Sequence, residues 1–106
     1  MQVLKFGGSS VGTPEAISKV ISIVKERVKT KQAIVVVSAM SGVTDQLILL
    51  AQSASQCNEA YKTIIQNLEQ KHLDAVRALL PIQQQSGTLS MVKQLINEIE
   101  SNCDGL

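Results

Sequence analysis

The sequence has few aromatic residues and no excess of either charge. Phe6 and Tyr61 are its only aromatic side chains, so it lacks the stacking platforms that hold single-stranded nucleic acids. The chain has 10 Lys and Arg residues and 9 Asp and Glu residues, which gives a formal net charge of +1. This charge is too small to attract nucleic acid or an anionic membrane by long-range electrostatics. We therefore expect a small-molecule partner, with no nucleic acid and no membrane.

Cysteines and long apolar runs are also scarce. Cys57 and Cys103 lack the CxxC spacing of a zinc or redox site and are too few for a disulfide framework; we interpret both as reduced, half-buried thiols. No apolar run approaches the roughly 20 residues that span a bilayer, and the start has no secretory signal pattern. These absences predict a cytoplasmic chain that, at 106 residues, forms one domain at most.

The first part of the sequence reads as a strand, a helix and a second strand. Residues Gln2 to Phe6 are rich in strand-forming residues and stop at two glycines. Thr13 can cap a following helix, and Pro14 suits its first position. The apolar run from Ala33 to Val37 predicts a strand covered on both faces. Right-handed connection of the two parallel strands should place the loop at Gly7 beside the loop of residues 38–44.

The remainder reads as helical. A helix is predicted around Leu47 to Ala54, and a second helix ends before Pro81. A loop is predicted from Pro81 to Thr88. Residues 1–55 are thus interpreted as a βαβ unit plus helix that carries the loops, and 56–106 as a helical segment. The last segment has an apolar stripe that resembles a helix-packing seam: Leu89, Val92, Ile96, Ile99 and Cys103. Two strands are few for a parallel sheet, so further sequence or a second copy should complete it.

The loop after the first strand carries the clearest chemistry. Gly7 and Gly8 leave backbone N–H groups bare, and the next helix adds its positive N-terminal end, so a phosphate group is the expected guest. Lys5, just before the loop, can place its ammonium over the same pocket. The loop is neither a Walker motif, which needs Lys directly after its last glycine, nor a dinucleotide fingerprint, which needs glycine at position 9.

Two motifs in register carry a family resemblance. The first runs from Lys5 to Val11, reads Lys-Phe-Gly-Gly-Ser-Ser-Val, and resembles the signature of the aspartate kinase family. The second reads Val-Val-Ser-Ala from Val36 and Gly-Val-Thr from Gly42, and is similar to that family's second conserved stretch at the expected distance. The wider amino acid kinase superfamily, which includes acetylglutamate, carbamate and uridylate kinases, shares the Lys-x-Gly-Gly start. The resemblance implies the N-terminal part of a carbamate kinase-like, three-layer α/β/α fold.

The resemblance implies ATP-dependent phosphorylation of the side-chain carboxylate of L-aspartate to 4-phospho-L-aspartate, the first step toward lysine, threonine and methionine. It assigns catalysis to Lys5 and substrate binding to Ser38 and Thr44. The residues assigned to ATP phosphates are Lys5, Phe6, Gly7, Gly8 and Ser9. The parent protein is expected to be a homo-oligomer and also resembles the aspartokinase part of bifunctional aspartokinase/homoserine dehydrogenase proteins.

We predict no metal site within the chain, because His72 has no Cys, Asp or Glu at ligand spacing in register. Mg²⁺ should be held mainly through the phosphates and by residues outside this chain. The family's further substrate and nucleotide segments are missing from these 106 residues, so the isolated chain is expected to be inactive. Two alternatives remain: another member of the superfamily, or a non-catalytic helical module that binds a partner through the seam at residues 89–103.

Overall fold

A computed structural model describes residues 1–105 of the chain. These residues form two compact units: the first is Met1–Thr44, and the second begins at Asp45. The first contains two strands and a helix, and the second is helical.

The two predicted strands are confirmed. Strand β1 is Gln2–Phe6 and strand β2 is Ala33–Val37; they pair in parallel, with Gln2 beside Ala33 and Phe6 beside Val37. The Gln2 side-chain amide donates to the backbone carbonyls of Arg27, at 2.9 Å, and Lys31, at 3.2 Å. These bonds tie the start of β1 to the chain segment that leads into β2.

Helix α1, Pro14–Arg27, connects the strands, as predicted. The Thr13 hydroxyl accepts a hydrogen bond from the Ala16 amide at 3.2 Å, and Pro14 occupies the first turn, where its missing N–H leaves no bond unmade. Val20 is buried on the inner face of the helix. The cap therefore fixes where the loop from Gly7 ends and the helix begins.

The prediction that β2 is covered on both faces is wrong for residues 1–105. Four of its side chains are between 41% and 57% exposed: Ile34, Val35, Val36 and Val37. The structure pairs β2 with β1 alone in a two-stranded sheet. A continuous apolar run indicates that both faces of a strand are suited to burial. Whether they are buried depends on the helices and strands that pack around it.

Helix α2, Val43–Ser55, extends the predicted segment by a few residues at its start and by one at its end. It ends in a Schellman motif, in which the Asn58 amide donates to the Ser53 carbonyl at 2.9 Å and the Cys57 amide to the Ala54 carbonyl at 3.1 Å. Cys57 takes the left-handed position of this motif, with φ 54°. Asn58 then accepts a bond from the Ala60 amide through its side chain at 3.0 Å, which leads directly into the next helix.

Helices α3, Ala60–Leu79, and α4, Gln85–Asp104, pack against each other. The predicted seam on α4 is covered: Ile96 and Cys103 are buried, and the other three seam residues are partly buried. Tyr61 at the start of α3 donates its hydroxyl to Asp104 at the end of α4, with 2.5 Å between the oxygens. The seam that motivated the partner-binding alternative thus has a partner within the second unit.

The prediction of a loop from Pro81 to Thr88 is wrong. Ile82–Gln84 forms a 3₁₀ turn, and α4 begins at Gln85. The Gln85 side chain donates to the carbonyls of Leu80, at 2.8 Å, and Arg77, at 3.3 Å, and so satisfies the end of α3. Gly87 costs a helix only about 1 kcal/mol, which tertiary packing easily exceeds.

The interpretation of both cysteines as half-buried thiols is also corrected. Both are free, but Cys57 is exposed and Cys103 is buried. Burial raises the pKa of the Cys103 thiol above its ordinary value. No helix among residues 1–105 combines the length and the apolar character that crossing a membrane requires.

Candidate phosphate-binding site

Every site residue predicted from the sequence lies in the first unit. These residues lie at the carboxyl ends of β1 and β2 or in the segments that follow them, of which Thr44 is in the first turn of helix α2. Parallel strands place their carboxyl ends on one edge of the sheet, and this edge is where ligands bind in open α/β sheets. The Ser38 amide donates to the Phe6 carbonyl at 3.2 Å and continues the ladder by one bond. Ser38 therefore stands directly beside the start of the glycine loop.

The glycine loop, residues 7–12, is held in its turn by hydrogen bonds to the Gly7 carbonyl. The amides of Ser10 and Val11 both donate to the Gly7 carbonyl, at 3.0 and 3.3 Å. The amides of Gly8 and Ser9 have no protein acceptor among residues 1–105. All three of Gly7, Gly8 and Ser9 are exposed. Two neighbouring unpaired N–H groups at an exposed turn are the elements of an anion-binding nest.

The conformation of the loop does not itself require glycine at positions 7 and 8. Neither residue has a positive φ, and a Cβ atom added to either would meet nothing within 4 Å. The structure therefore leaves bare backbone facing open space, where a side chain would obstruct a ligand approaching the amides.

Gly12 is the glycine on which the site's packing depends, and the sequence analysis did not place it among the site residues. It is buried, and an added Cβ would lie 2.9 Å from the Gly8 carbonyl oxygen and 3.4 Å from the Ser41 Cβ. The Ser41 amide donates to the Gly12 carbonyl at 3.1 Å. The two loops touch here, which confirms that they are neighbours. The signal available in the sequence was a third glycine just before the Thr13 cap.

Lys5 lies on the open face of the sheet. It pairs with Val36 across the two strands and is exposed. Alternation along a strand puts it on the side opposite Leu4 and Phe6, which are partly buried. The ion pairs among residues 1–105 involve Lys29, Lys62 and Arg77, so the Lys5 ammonium has no carboxylate partner there. A lysine without an ion-pair partner, two residues before the exposed loop, can approach an anion bound at that loop.

The second loop brings hydroxyls and a helix N-terminus to the same edge. Gly42 adopts φ 78°, a left-handed conformation that glycine allows without strain, and the Val43 amide donates to the Met40 carbonyl at 3.1 Å. Thr44 is exposed in the first turn of α2. Ser38 is exposed as well. Both hydroxyls are free to meet a ligand, and Thr44 does not occupy the position of the helix cap.

A magnesium ion would need oxygen ligands at this site. No group of three His, Cys, Asp or Glu residues suited to a metal ion occurs among residues 1–105. The donors at the two loops are amides, hydroxyls and one ammonium, a set that suits phosphate oxygens better than a bare cation. An ion that accompanies a nucleotide would therefore be held through its phosphates.

Curated relatives confirm the resemblance to aspartokinases that the two motifs indicate. The chain is 48% identical over 59 residues to the aspartokinase of Rickettsia bellii, which covers 55% of this chain and 14% of that protein. It is 33% identical over 99 residues to bifunctional aspartokinase/homoserine dehydrogenase 1, chloroplastic, of Zea mays, which covers 93% of this chain and 11% of that protein. The chain thus spans about one seventh or less of the length of these relatives.

The comparison with the family as a whole also extends over nearly the whole chain. Residues 1–102 match the model of the amino acid kinase family. The match includes both loops and the helices after them, and the parallel βαβ start agrees with the predicted α/β class. The chain belongs to the amino acid kinase family.

Proposed function

We propose that this chain supplies the first part of an aspartokinase site, which transfers the γ-phosphoryl group of ATP to the side-chain carboxylate of L-aspartate. The new P–O bond forms to a carboxylate oxygen, the bond from the γ-phosphorus to the bridging oxygen breaks, and ADP leaves. In this proposal the chain holds phosphate groups, and the rest of the catalytic centre lies in further sequence of the parent protein.

One structural observation carries the proposal: the glycine loop and the second loop are joined at the carboxyl edge of the two strands. The bond from Ser41 to Gly12 and the bond from Ser38 to Phe6 hold them together. Two exposed amides, an unpaired lysine and two exposed hydroxyls consequently share one edge. The relatives that match this segment carry the name aspartokinase, alone or fused to homoserine dehydrogenase, which favours aspartate as acceptor.

Each residue then has a role that follows from its chemistry. The Gly8 and Ser9 amides would hold phosphate oxygens, with Gly7 keeping the approach free of side chains. Lys5 would offset negative charge on the transferred group, a role that needs a mobile point charge. Ser38 and Thr44 would contact the aspartate side. Phosphoryl transfer depends mainly on such positioning and charge stabilisation.

A chimera tests this function directly. The segment of the Rickettsia bellii aspartokinase that matches this chain is replaced by the chain's own residues, and 4-phospho-L-aspartate is trapped with hydroxylamine. We expect aspartate- and ATP-dependent hydroxamate formation within about tenfold of the unaltered protein, because a tenfold change corresponds to only about 1.4 kcal/mol in the barrier.

The control is the same chimera supplied with carbamate, N-acetylglutamate or uridylate as acceptor. A folded chimera that is inactive with aspartate, or that prefers another of these acceptors, contradicts the proposal. The latter result would identify the chain's source as a different member of the superfamily. Folding is checked independently by circular dichroism and by cooperative thermal unfolding.

A further inference from the structure

The carbonyl group of Gly8 points at the buried residue Gly12. A Cβ atom added to Gly12 would lie 2.9 Å from the Gly8 carbonyl oxygen, and the next nearest atoms would be the Cβ and the amide nitrogen of Ser41, at 3.4 and 3.8 Å. The carbonyl carbon of Gly8 is therefore no closer than 3.8 Å to that position. Since a C=O bond is only about 1.23 Å long, this bond is directed toward Gly12, and the oxygen occupies the space that a side chain would take.

The direction of the Gly8 carbonyl fixes the direction of the Ser9 amide. No peptide bond among residues 1–105 is cis. In a planar trans peptide, the C=O group and the N–H group of the next residue point to opposite sides of the chain. Gly12 is buried and Ser9 is exposed. The Ser9 N–H is therefore directed away from the packed side of the loop.

The Gly8 and Ser9 amides are held in place by different contacts. The Gly7 carbonyl accepts two backbone hydrogen bonds, at 3.0 and 3.3 Å, and these bonds fix the peptide unit that carries the Gly8 N–H. The Gly8 carbonyl accepts no backbone hydrogen bond from residues 1–105. The peptide unit that carries the Ser9 N–H consequently depends on the space at Gly12.

We propose that Gly12 is a positioning residue for phosphate binding, because it leaves the space into which the Gly8 carbonyl turns and thereby directs the Ser9 N–H outward. This role rests on the proposed function in one respect, that the ligand is a nucleotide phosphate; it does not depend on aspartate as the acceptor. A larger side chain at position 12 would displace the Gly8 carbonyl and turn the peptide. The anion would then lose the Ser9 donor and keep the Gly8 donor.

A purely structural role of Gly12 is the alternative, because an added Cβ would also lie 3.4 Å from the Ser41 Cβ. In that case a side chain at position 12 would separate the two loops and affect the Gly8 and Ser9 amides alike. Ser41→Gly removes the Cβ that causes this contact and keeps the hydrogen bond from the amide of residue 41 to the Gly12 carbonyl. It leaves the Gly8 carbonyl where it is, so this substitution distinguishes the two roles.

The test is a titration of the ¹⁵N-labelled 106-residue chain with ATP and Mg²⁺, followed by amide shifts. In Gly12→Val the shift of the Ser9 amide should largely disappear while the Gly8 amide still responds. The apparent affinity should fall about tenfold, as expected for the loss of one hydrogen bond to a charged group. Adding Ser41→Gly to this variant should restore neither. Gly87→Val on α4 is the matched control and should titrate like the wild type, since a Cβ there meets nothing within 4 Å.

Exchange of amide protons with water keeps the proposal testable even if Gly12→Val fails to fold. In the nucleotide-free wild type, the Ser9 amide should exchange at least about tenfold faster than the Ser10 amide, which is bonded to the Gly7 carbonyl. The Ser9 amide should slow when ATP binds. A Ser9 amide that exchanges as slowly as that of Ser10 overturns the proposal, because its N–H would not be directed outward.

Three results of the titration also overturn the proposal: a Gly12→Val chain that binds like the wild type, equal losses at the Gly8 and Ser9 amides, or recovery of the Ser9 shift when Ser41→Gly is added. A wild-type chain in which neither amide responds to ATP overturns it together with phosphate binding. A chimera that uses ATP but phosphorylates an acceptor other than aspartate refutes the proposed function alone and leaves the role of Gly12 intact.

Discussion

The Ser41 amide donates to the Gly12 carbonyl at 3.1 Å, and this bond joins the two loops that carry the candidate site. Gly12 is buried, and its missing side chain lets the loops approach this closely. The distance between the exposed Gly8 and Ser9 amides and the second loop therefore depends on Gly12, a residue that we do not expect to contact a ligand.

We predict that Gly12→Ala separates the loops and destabilises the chain by about 1–3 kcal/mol, the usual cost of overpacking. The new Cβ would lie 2.9 Å from a backbone oxygen, which cannot move without moving the loop. Urea unfolding measures the loss. Gly8→Ala is the matched control, since its Cβ meets nothing within 4 Å, and it should change stability by less than about 0.5 kcal/mol. Equal losses in both variants would refute this role of Gly12.

Lys5 is predicted to act on the transferred phosphoryl group rather than on aspartate binding. In the active chimera, Lys5→Ala should lower kcat by about a hundredfold or more and leave the KM for aspartate within about threefold, because charge stabilisation counts most in the transition state. Lys19→Ala is the control, since Lys19 is an exposed lysine on α1. Unchanged turnover in Lys5→Ala would remove Lys5 from the mechanism.

Cys57 is predicted to be a destabilising residue at the end of α2. It holds φ 54° in the Schellman motif, a conformation that costs a residue with a side chain about 1 kcal/mol relative to glycine. Cys57→Gly should therefore raise the free energy of unfolding by about that amount. Cys57→Ala controls for loss of the thiol and should give no such gain. If the two variants are equally stable, the backbone strain inferred here is absent.

Tyr61 should titrate abnormally, and the chain has only one tyrosine, so its phenolate absorbance reports this residue alone. The hydrogen bond to the Asp104 carboxylate raises the pKa of Tyr61 to about 12 from an ordinary value of 10.0. Asp104→Ala should return the midpoint toward 10. A wild-type midpoint near the ordinary value would show that the hydroxyl is not bound to Asp104 in solution.

The same bond predicts how stability changes with pH. The folded state keeps the Tyr61 proton to a higher pH than the unfolded state, so the stabilisation is fully present below pH 10 and is lost as pH rises toward about 12. Urea unfolding across this range should show a steeper loss for the wild type than for Tyr61→Phe. Parallel curves for the two proteins would contradict the linkage.

The sequence predicted the elements whose signals are local. Both strands have the predicted bounds, and Thr13 and Pro14 mark the start of α1. The prediction that the two loops are neighbours followed from the right-handed βαβ connection, because that rule concerns the path of the backbone and not the side chains. These features depend on residues close in sequence or on chain topology, which explains why pattern alone was sufficient.

The errors concern contacts between different structural elements. Gln85 caps α3 from the first turn of α4, and nothing in a run of three glutamines indicates which carbonyls they meet. The exposure of Val37 depends on which layers surround β2, and the packing at Gly12 depends on the position of Ser41. A sequence pattern records the type of residue, whereas these outcomes depend on its neighbours in space.

Backbone amide shifts during titration with ATP and Mg²⁺ test the central claim most directly. In the ¹⁵N-labelled chain, the Gly8 and Ser9 amides should show the largest shifts, and Lys5→Ala should weaken the apparent affinity severalfold while the same amides still respond. The Lys19→Ala control should titrate like the wild type. If the Gly7, Gly8 and Ser9 amides stay unshifted at saturating nucleotide, or if the shifts map to α3 and α4 instead, the glycine loop does not hold phosphate.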